Sequence, residues 1–397
     1  MLKRFPIDEI KAGMYVTQVT EQSGFLKVKT SGLIKDPGII PRLKARGIKE
    51  VEVDLSRSLL GFEKEEEPVA APKAQEDPPP KKSEAGALKE AQNLYSQAKT
   101  VQSRIFKRLR QGAQVKVTEL MSLSHDMMES LFDNPNALSC LTLIKDKNDY
   151  LLEHSLNSSI LMGLFARHLG FDRELIDELG QGGMMMDVGM ATLQNNLLDK
   201  PSSLTNEEQN LMRTHVDFGV KLLKSSKIES EVVLDVVANH HERLDGSGYP
   251  KGKSGDELSV YARMAAIVDT YDAMTSDRPW RKALTPTQSL KSLLSSSQGK
   301  LDQQLVQQFV RCMGVHPVGS LVKLKSGKIG IVTRMNKEDP LCPIVRTFYS
   351  ARSQHYTELK IVDLSKAQDK IESGVRPDEF KMNLPKFFKD VFLGQLD

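Results

Sequence analysis

Cysteine is scarce in this chain. Cys140, Cys312 and Cys342 lie far apart and form no C-x-x-C pair, so a disulfide framework and a thiolate zinc site are both excluded and a reducing compartment is the default. Long apolar runs are also missing: nowhere do about 18 apolar residues follow one another, and Met1-Leu2-Lys3-Arg4 leads into no signal-like core. A cytoplasmic protein with no membrane insertion is expected. A charge excess of one sign is lacking too, with 55 Lys and Arg against 52 Asp and Glu and a net charge of +3. That balance gives no global attraction to a nucleic acid polymer or a membrane, so any anion binding must be local.

A length of 397 residues predicts more than one domain. Residues 1–62 read as a small α+β module, with strands around 14–17 and 51–54 and a short helix over 41–47 ending at Gly47. Residues 63–86 are rich in Glu, Lys, Pro and Ala with almost no large apolar side chain, the composition of a flexible linker. Residues 87–140 form a helical connector, with helices from Leu88 to Arg110 and Val117 to Phe132. Its six basic residues between Lys99 and Lys116, with no acidic one among them, read as a solvated helix face. Residues 141–313 carry amphipathic helical patterns, among them Leu152, Leu156, Ile160 and Leu164. Thr205 with Glu208 makes a capping box for a helix through His215, and Thr285 with Pro286 starts another. Residues 314–397 change character: 321–324 and 329–332 predict a β-hairpin, Ile361-Val362 a further strand, and 380–396 a short helical tail.

Chemistry concentrates in the helical segment. Residues 240–250 read HHERLDGSGYP, where Gly246 and Gly248 let the chain turn tightly and Pro250 fixes its exit. His154 lies in EHS, His215 in THVDFG, and Asp269 in AAIVDTYDAMTSDRPWR, with Asp187 between the first two. An isolated histidine in a helix is more often packed or solvated than a ligand, and His125, His168, His316 and His355 are read that way. The ordered set His154, Asp187, His215, His240, His241 and Asp269, followed by an intact Gly248-Tyr249-Pro250, is a far more specific pattern.

In those motifs the chain resembles the HD-GYP family, and residues 1–62 more weakly resemble the domain of uncharacterised function often found before it. The resemblance implies a mainly α fold, an all-helical HD-superfamily bundle with the N-terminal α+β module and a short β-containing C-terminal extension. It implies metal-dependent hydrolysis of cyclic di-GMP to pGpG or GMP, with divalent ions, iron or manganese, held by His154, Asp187, His215, His240, His241 and Asp269, and with Asp187 catalytic. Two such ions, about 3.5 to 4 Å apart, would generate a nucleophile and neutralise phosphoryl charge. It further implies that Arg278 and Arg281 contact the phosphates, that Trp280 stands where a Tyr is common, and that the loop at Gly248, Tyr249 and Pro250 is a recognition element for partners such as diguanylate cyclases with GGDEF domains.

Two positions depart from the pattern. Met186 stands where the family has the His of its His-Asp pair, and Met190 where it has a Lys. A thioether is a soft, weak donor for iron or manganese, so the half built on His154, Asp187 and Asp269 is expected to bind its ion poorly. His215, His240 and His241 with Asp187 keep the other, and incomplete occupancy with impaired turnover is expected. The alternative is a catalytically inactive module that binds cyclic di-GMP or protein partners. The run Met184-Met185-Met186 also fits ordinary helical core.

Overall fold

The computed structural model describes residues 2–10, 14–22, 32–34, 40, 43–44, 48–54, 84–143, 150–193, 197, 200, 202–278, 281–296, 299–336, 338–380 and 382. Contacts divide the chain into two compact units, residues 1–76 and 77–397. In the first, β1 (Leu2–Pro6), β2 (Tyr15–Gln22), β3 (Gly32–Leu33) and β4 (Ile48–Asp54) form an antiparallel sheet in the order β1-β4-β2-β3. Alternating apolar residues face a small core of Ile7, Met14, Val16, Ile48, Val51 and Val53, as a half-buried sheet requires. The expected helix over 41–47 lies largely outside the described residues, as does most of the expected linker.

The second unit is built on helices. α1 spans Glu84–Arg110, starting four residues earlier than Leu88, so the end of the expected linker is helical. Its buried stripe, Leu88, Ala91, Tyr95, Ala98, Gln102 and Ile105, follows the alternating spacing that keeps one face of a helix on a partner. α2 (Thr118–Asp133) and α3 (Pro135–Leu141) follow, the latter starting at an Asn134 cap with Pro at its first turn, where the missing N–H costs nothing. α4 (Tyr150–His168) is buried on nearly all sides, the signature of a central helix. It packs against α5 (Arg173–Met185), α9 (Val260–Met274) and α1.

A short 3-10 turn, Val188–Thr192, leaves α5 and packs on α7 (His215–Ser225). The capping box at Thr205 and Glu208 is present, but it starts a short helix, α6 (Asn206–Arg213). The chain bends at Thr214 before His215 opens α7, so the expected single helix through His215 is two. α8 (Glu231–Asn239), α10 (Pro286–Ser296) and α11 (Gln303–Met313) complete the helices. Thr285 caps α10 by accepting from the Gln288 N–H.

The C-terminal hairpin is part of a larger antiparallel sheet. β5 (Leu321–Leu324), β6 (Lys328–Arg334), β7 (Ile344–Ser350), β8 (His355–Asp363) and β9 (Ile371–Gly374) run in the order β8-β7-β6-β5-β9. Val322, Ile329, Ile331, Val345 and Phe348 join the same core as the helices. The expected helical tail lies outside the described residues apart from Phe380 and Met382. The expected fold class therefore holds, mainly helical with a β-containing C-terminal portion. No helix among the described residues is long and apolar enough to cross a membrane.

One glycine decides how closely the turn after Asp187 approaches α7. A Cβ at Gly189 would lie 1.9 Å from the His215 carbonyl oxygen, a backbone clash that no rotamer relieves. Gly189→Ala is therefore expected to cost about 1 to 3 kcal/mol, read as a lower urea midpoint with unchanged slope; a midpoint equal to the parent's would show that the turn shifts freely.

Candidate metal centre

Five chain segments bring acid and imidazole side chains to one buried point. α4 offers His154 from its first turns, and the residue between α5 and the 3-10 turn is Asp187. His215 is the first residue of α7, and His240 and His241 lie where α8 ends. Asp269 and Asp272 lie on one face of α9, three residues apart. His154, Asp187, His215, His240 and Asp269 are all buried.

Asp187 lies between two sets of imidazoles. Its Oδ2 is 3.2 Å from His154 Nε2, while its Oδ1 is 3.3 Å from His215 Nε2 and 3.8 Å from His240 Nε2. His154 Nε2 is also 3.2 Å from Asp269 Oδ1, and Asp269 Oδ2 is 3.3 Å from His241 Nδ1. Asp187, His215, His240 and His241 can all aim ligand atoms at one ion, each atom within 4.8 Å of the others.

The hydrogen bonds fix which nitrogens are free to ligate. His215 Nδ1 donates to the Met212 carbonyl at 2.8 Å, and His240 Nδ1 to the Val237 carbonyl at 3.0 Å. In the neutral rings both Nε2 atoms are then acceptors, 3.4 Å apart and facing Asp187 Oδ1, itself buried and without a hydrogen-bond donor among the described residues. Three lone-pair donors converging with no proton between them is the arrangement a cation satisfies. The donor set, imidazole and carboxylate, suits a divalent first-row metal.

The electrostatics of the two halves differ. Burial, reinforced by neighbouring His240, pushes the His241 pKa down to about 3, and burial likewise lowers that of His215, so both rings are neutral ligands near pH 7. His154 is held well above the usual histidine range: burial opposes its charge, but Tyr150 and hydrogen bonds with Asp187, Asp269 and Asp272 outweigh it. Burial would raise Asp187 and Asp269, yet Asp187 is held well below the usual carboxylate range by its hydrogen bond with His154, and Asp269 by His241 and His154.

Several known proteins are similar to this chain. A family model described as an HD domain matches residues 139–305, and one described as a domain of unknown function (DUF3391) matches residues 2–120. PA4108 of Pseudomonas aeruginosa, named a cyclic di-GMP phosphodiesterase, is 32% identical over 385 residues, covering 92% of this chain and 90% of that protein. The chain belongs to the HD-GYP family. RpfG of Xanthomonas campestris, named a cyclic di-GMP phosphodiesterase response regulator, is 34% identical over 154 residues, 38% of this chain and 41% of that one. The solved structure of Bd1817, an HDG"Y"P protein from Bdellovibrio bacteriovorus, aligns with a TM-score of 0.48 at 17% identity, covering 78% of this chain and 98% of that one.

The loop that gives the HD-GYP family half its name closes over the histidines. Buried Glu242 accepts from the backbone N–H groups of Lys251 at 2.7 Å and Lys253 at 3.0 Å, tying the far side of the loop to the His pair. Tyr249 lies on His241, ring centroids 4.6 Å apart, and Arg213 lies over the Tyr249 ring at 5.1 Å. Gly246 has φ +75, as its turn demands. Gly248 has a different reason: a Cβ there would lie 2.4 Å from the Glu242 Cα, so clearance rather than an unusual φ excludes a side chain.

At the positions that depart from the family, Met186 is completely buried and Met190 partly so. Arg278 is close to the cluster: it lies over the Tyr150 ring at 4.7 Å and donates to the Tyr150 hydroxyl. The Arg281 guanidinium donates instead to the Ala273 carbonyl. Trp280 lies outside the described residues. Of the histidines set aside, His125 pairs with Asp177 and His168 with Gln308, both away from the cluster.

Several residues of the site escaped the sequence reading. Tyr150 stacks on His154 at 5.5 Å, Asp272 accepts from His154 Nδ1 at 2.7 Å, and Arg243 comes within 4.0 Å of Asp269. Tyr150 lies four residues before His154 and Asp272 three after Asp269, the spacing that puts helix neighbours on one face; that was the available signal.

The contrast between the halves predicts how protons accompany metal. A cation between Asp187, Asp269 and His154 competes with the proton that His154 holds because its pKa is raised, so uptake there releases about one proton and weakens as pH falls. At the other half His215 and His241 are already neutral and release no proton near pH 7. Calorimetry with manganese(II) in buffers of different ionisation enthalpy should resolve one event that releases the His154 proton and one that releases none from His215 or His241. Two proton-neutral events would overturn the assignment of His154.

Proposed function

We propose that this chain is a metal-dependent phosphodiesterase that opens cyclic di-GMP to pGpG or GMP, with turnover weakened at the ion beside His154. The observation that carries the reading is the Asp187 carboxylate, whose Oδ2 faces His154 and whose Oδ1 faces His215 and His240, so that one residue would help to hold ions on both sides. When bound, the ions, iron or manganese by donor type, would lower the pKa of water and offset charge on the phosphoryl oxygens. His215, His240, His241 and Asp187 would hold the stronger one, and His154, Asp187 and Asp269 the weaker, short of the imidazole that Met186 replaces.

The remaining chemistry belongs to side chains. Arg278, held on Tyr150, supplies a guanidinium that pairs with a phosphate in charge-assisted hydrogen bonds. Tyr249 and Arg213 close the mouth beside His241 with an aromatic face and a cation, suited to a guanine base. Arg281 is a weaker phosphate candidate, because its guanidinium is engaged by Ala273. A second reading, a nucleotide- or cyclase-binding module without turnover, is favoured by one observation, the complete burial of Met186 where a ligand would be needed.

Purified protein loaded with manganese(II) or iron(II) should convert cyclic di-GMP slowly, as followed by chromatography of the products. Met186→His with Met190→Lys should raise the rate by about tenfold or more. No turnover in either form, with metal bound and nucleotide bound, would leave the binding module standing.

Nucleotide affinity separates from chemistry. Arg278→Ala is expected to weaken cyclic di-GMP binding about ten- to a hundredfold, the worth of a charge-assisted contact, while Met186→Ala changes it far less. Equal effects in calorimetry would remove Arg278 from the substrate site.

A further inference from the structure

A line of buried hydrogen bonds connects α1 to His154. The Tyr95 hydroxyl donates to Asn157 Oδ1 at 3.0 Å, Asn157 Nδ2 donates to Asp272 Oδ1 at 3.1 Å, and Asp272 Oδ2 accepts from His154 Nδ1 at 2.7 Å. All four residues are buried, so each bond acts at low dielectric, where a missing partner is costly. One turn farther along α1, Lys99 Nζ lies 2.8 Å from Glu153 Oε1, and Glu153 is the buried neighbour of His154. α1 also packs against the 188–192 turn that follows Asp187. One helix therefore touches the supports of both Asp187 and His154.

The middle of α1 is the part suited to local displacement. Its buried positions there are Ala91, Tyr95, Ala98 and Gln102, while Leu88, Ile105 and Phe106 anchor the two ends, and alanine buries little apolar surface compared with leucine. By connectivity α1 is the first described helix after the N-terminal unit, and the match to the domain of unknown function runs over residues 2–120, which includes all of α1.

We propose that the seating of α1 controls occupancy of the metal centre, with Tyr95 as a positioning residue for His154. The proposal rests on reading the cluster as a metal centre, as in the function proposed above. With α1 seated, the Tyr95 hydroxyl fixes the Asn157 amide so that Nδ2 reaches Asp272. Asp272 in turn holds the His154 ring with Nδ1 donating and Nε2 aimed at Asp187 and Asp269. With α1 displaced, Asn157 Oδ1 loses that donor and is held only through its Nδ2 by the Thr142 carbonyl and Asp272, so Asp272 is less firmly oriented and the His154 half binds its ion less well. Linkage makes the effect reciprocal: an ion at that half favours the seated helix.

The test uses the full chain and manganese(II) alone as probe. Tyr95→Phe keeps the ring and removes the hydroxyl. It should weaken the weaker of two manganese(II) binding events about 3- to 10-fold, less than the about 10- to 100-fold typical of direct ligand supports, and leave the tighter event unchanged. Manganese(II) should also slow amide exchange across residues 91–102 of the parent, and less so in Tyr95→Phe. Unchanged affinities in a parent that binds two ions would overturn the proposal and leave the phosphodiesterase reading intact. Should Tyr95→Phe fail to fold, the exchange experiment on the parent decides, and no manganese-dependent protection of α1 overturns the proposal. Coupling without any cyclic di-GMP turnover would support the proposal and count against the enzyme. A parent that binds no manganese(II) removes both.

Discussion

Asp187 carries a carboxylate in an interior that offers it almost no water. A buried charge without compensation is too costly to keep, and here compensation comes from imidazoles contributed by α4, α7 and the end of α8. The rest of the arrangement follows from that demand. Gly189 lets the chain beyond Asp187 press against the His215 carbonyl, and Gly248 lets the loop press against Glu242. His215 and His240 each lose one nitrogen to a backbone carbonyl, which leaves the other available and aimed. A cation is the one partner that satisfies both Asp187 Oδ1 and the two acceptor nitrogens around it.

The helices around the site carry polar residues inward. α4 buries Ser155, Asn157, Ser158 and Ser159 together with His154, positions that a simple bundle would fill with leucine. Some of this polarity is paired within the fold, as in Ser124 with Ser159 at 3.1 Å and Asn157 with the Thr142 carbonyl at 3.2 Å. Such a seam contributes little net stability, because each bond replaces one to water. What it supplies is a single geometry, since a half-satisfied polar network is worse than none. Apolar surface elsewhere, such as Leu120, Met127 and Leu131 of α2, holds the bundle together.

Much of this was legible in the sequence. The clustered acid and imidazole residues were readable because they recur in order with distinctive neighbours, and the helices because their apolar spacing is regular. The break at Thr214 was not, since the capping box at Thr205 marks where a helix starts and says nothing of how far it runs. Strands β7 and β9 were missed for a different reason: β7 mixes apolar and polar residues on both faces and β9 is short, so neither alternates clearly. The support of His154 was hidden most deeply. Tyr95 lies on a helix remote in sequence, and a tyrosine in an amphipathic stripe carries no mark of the hydroxyl's partner. Arg281 shows the opposite case, a residue whose type suggests phosphate but whose guanidinium is taken by a backbone carbonyl.

Met186 shows how stability and chemistry pull in different directions at one position. A histidine there would bring into a dry interior a polar ring that needs a partner on each nitrogen, and without an ion one of those partners is missing. Methionine needs none, and its completely buried side chain contributes on the order of 1.5 to 3 kcal/mol by leaving water. A methionine at this position therefore favours the fold. Asp187 has no such freedom. Replacing it by an apolar residue would leave His215 and His240 with acceptor nitrogens facing each other and no charge to organise them, so the carboxylate is held in place by the imidazoles as much as they are by it. The two positions differ through the chemistry of their side chains: methionine at position 186 needs no polar partner, whereas the Asp187 carboxylate cannot be buried without the imidazoles around it.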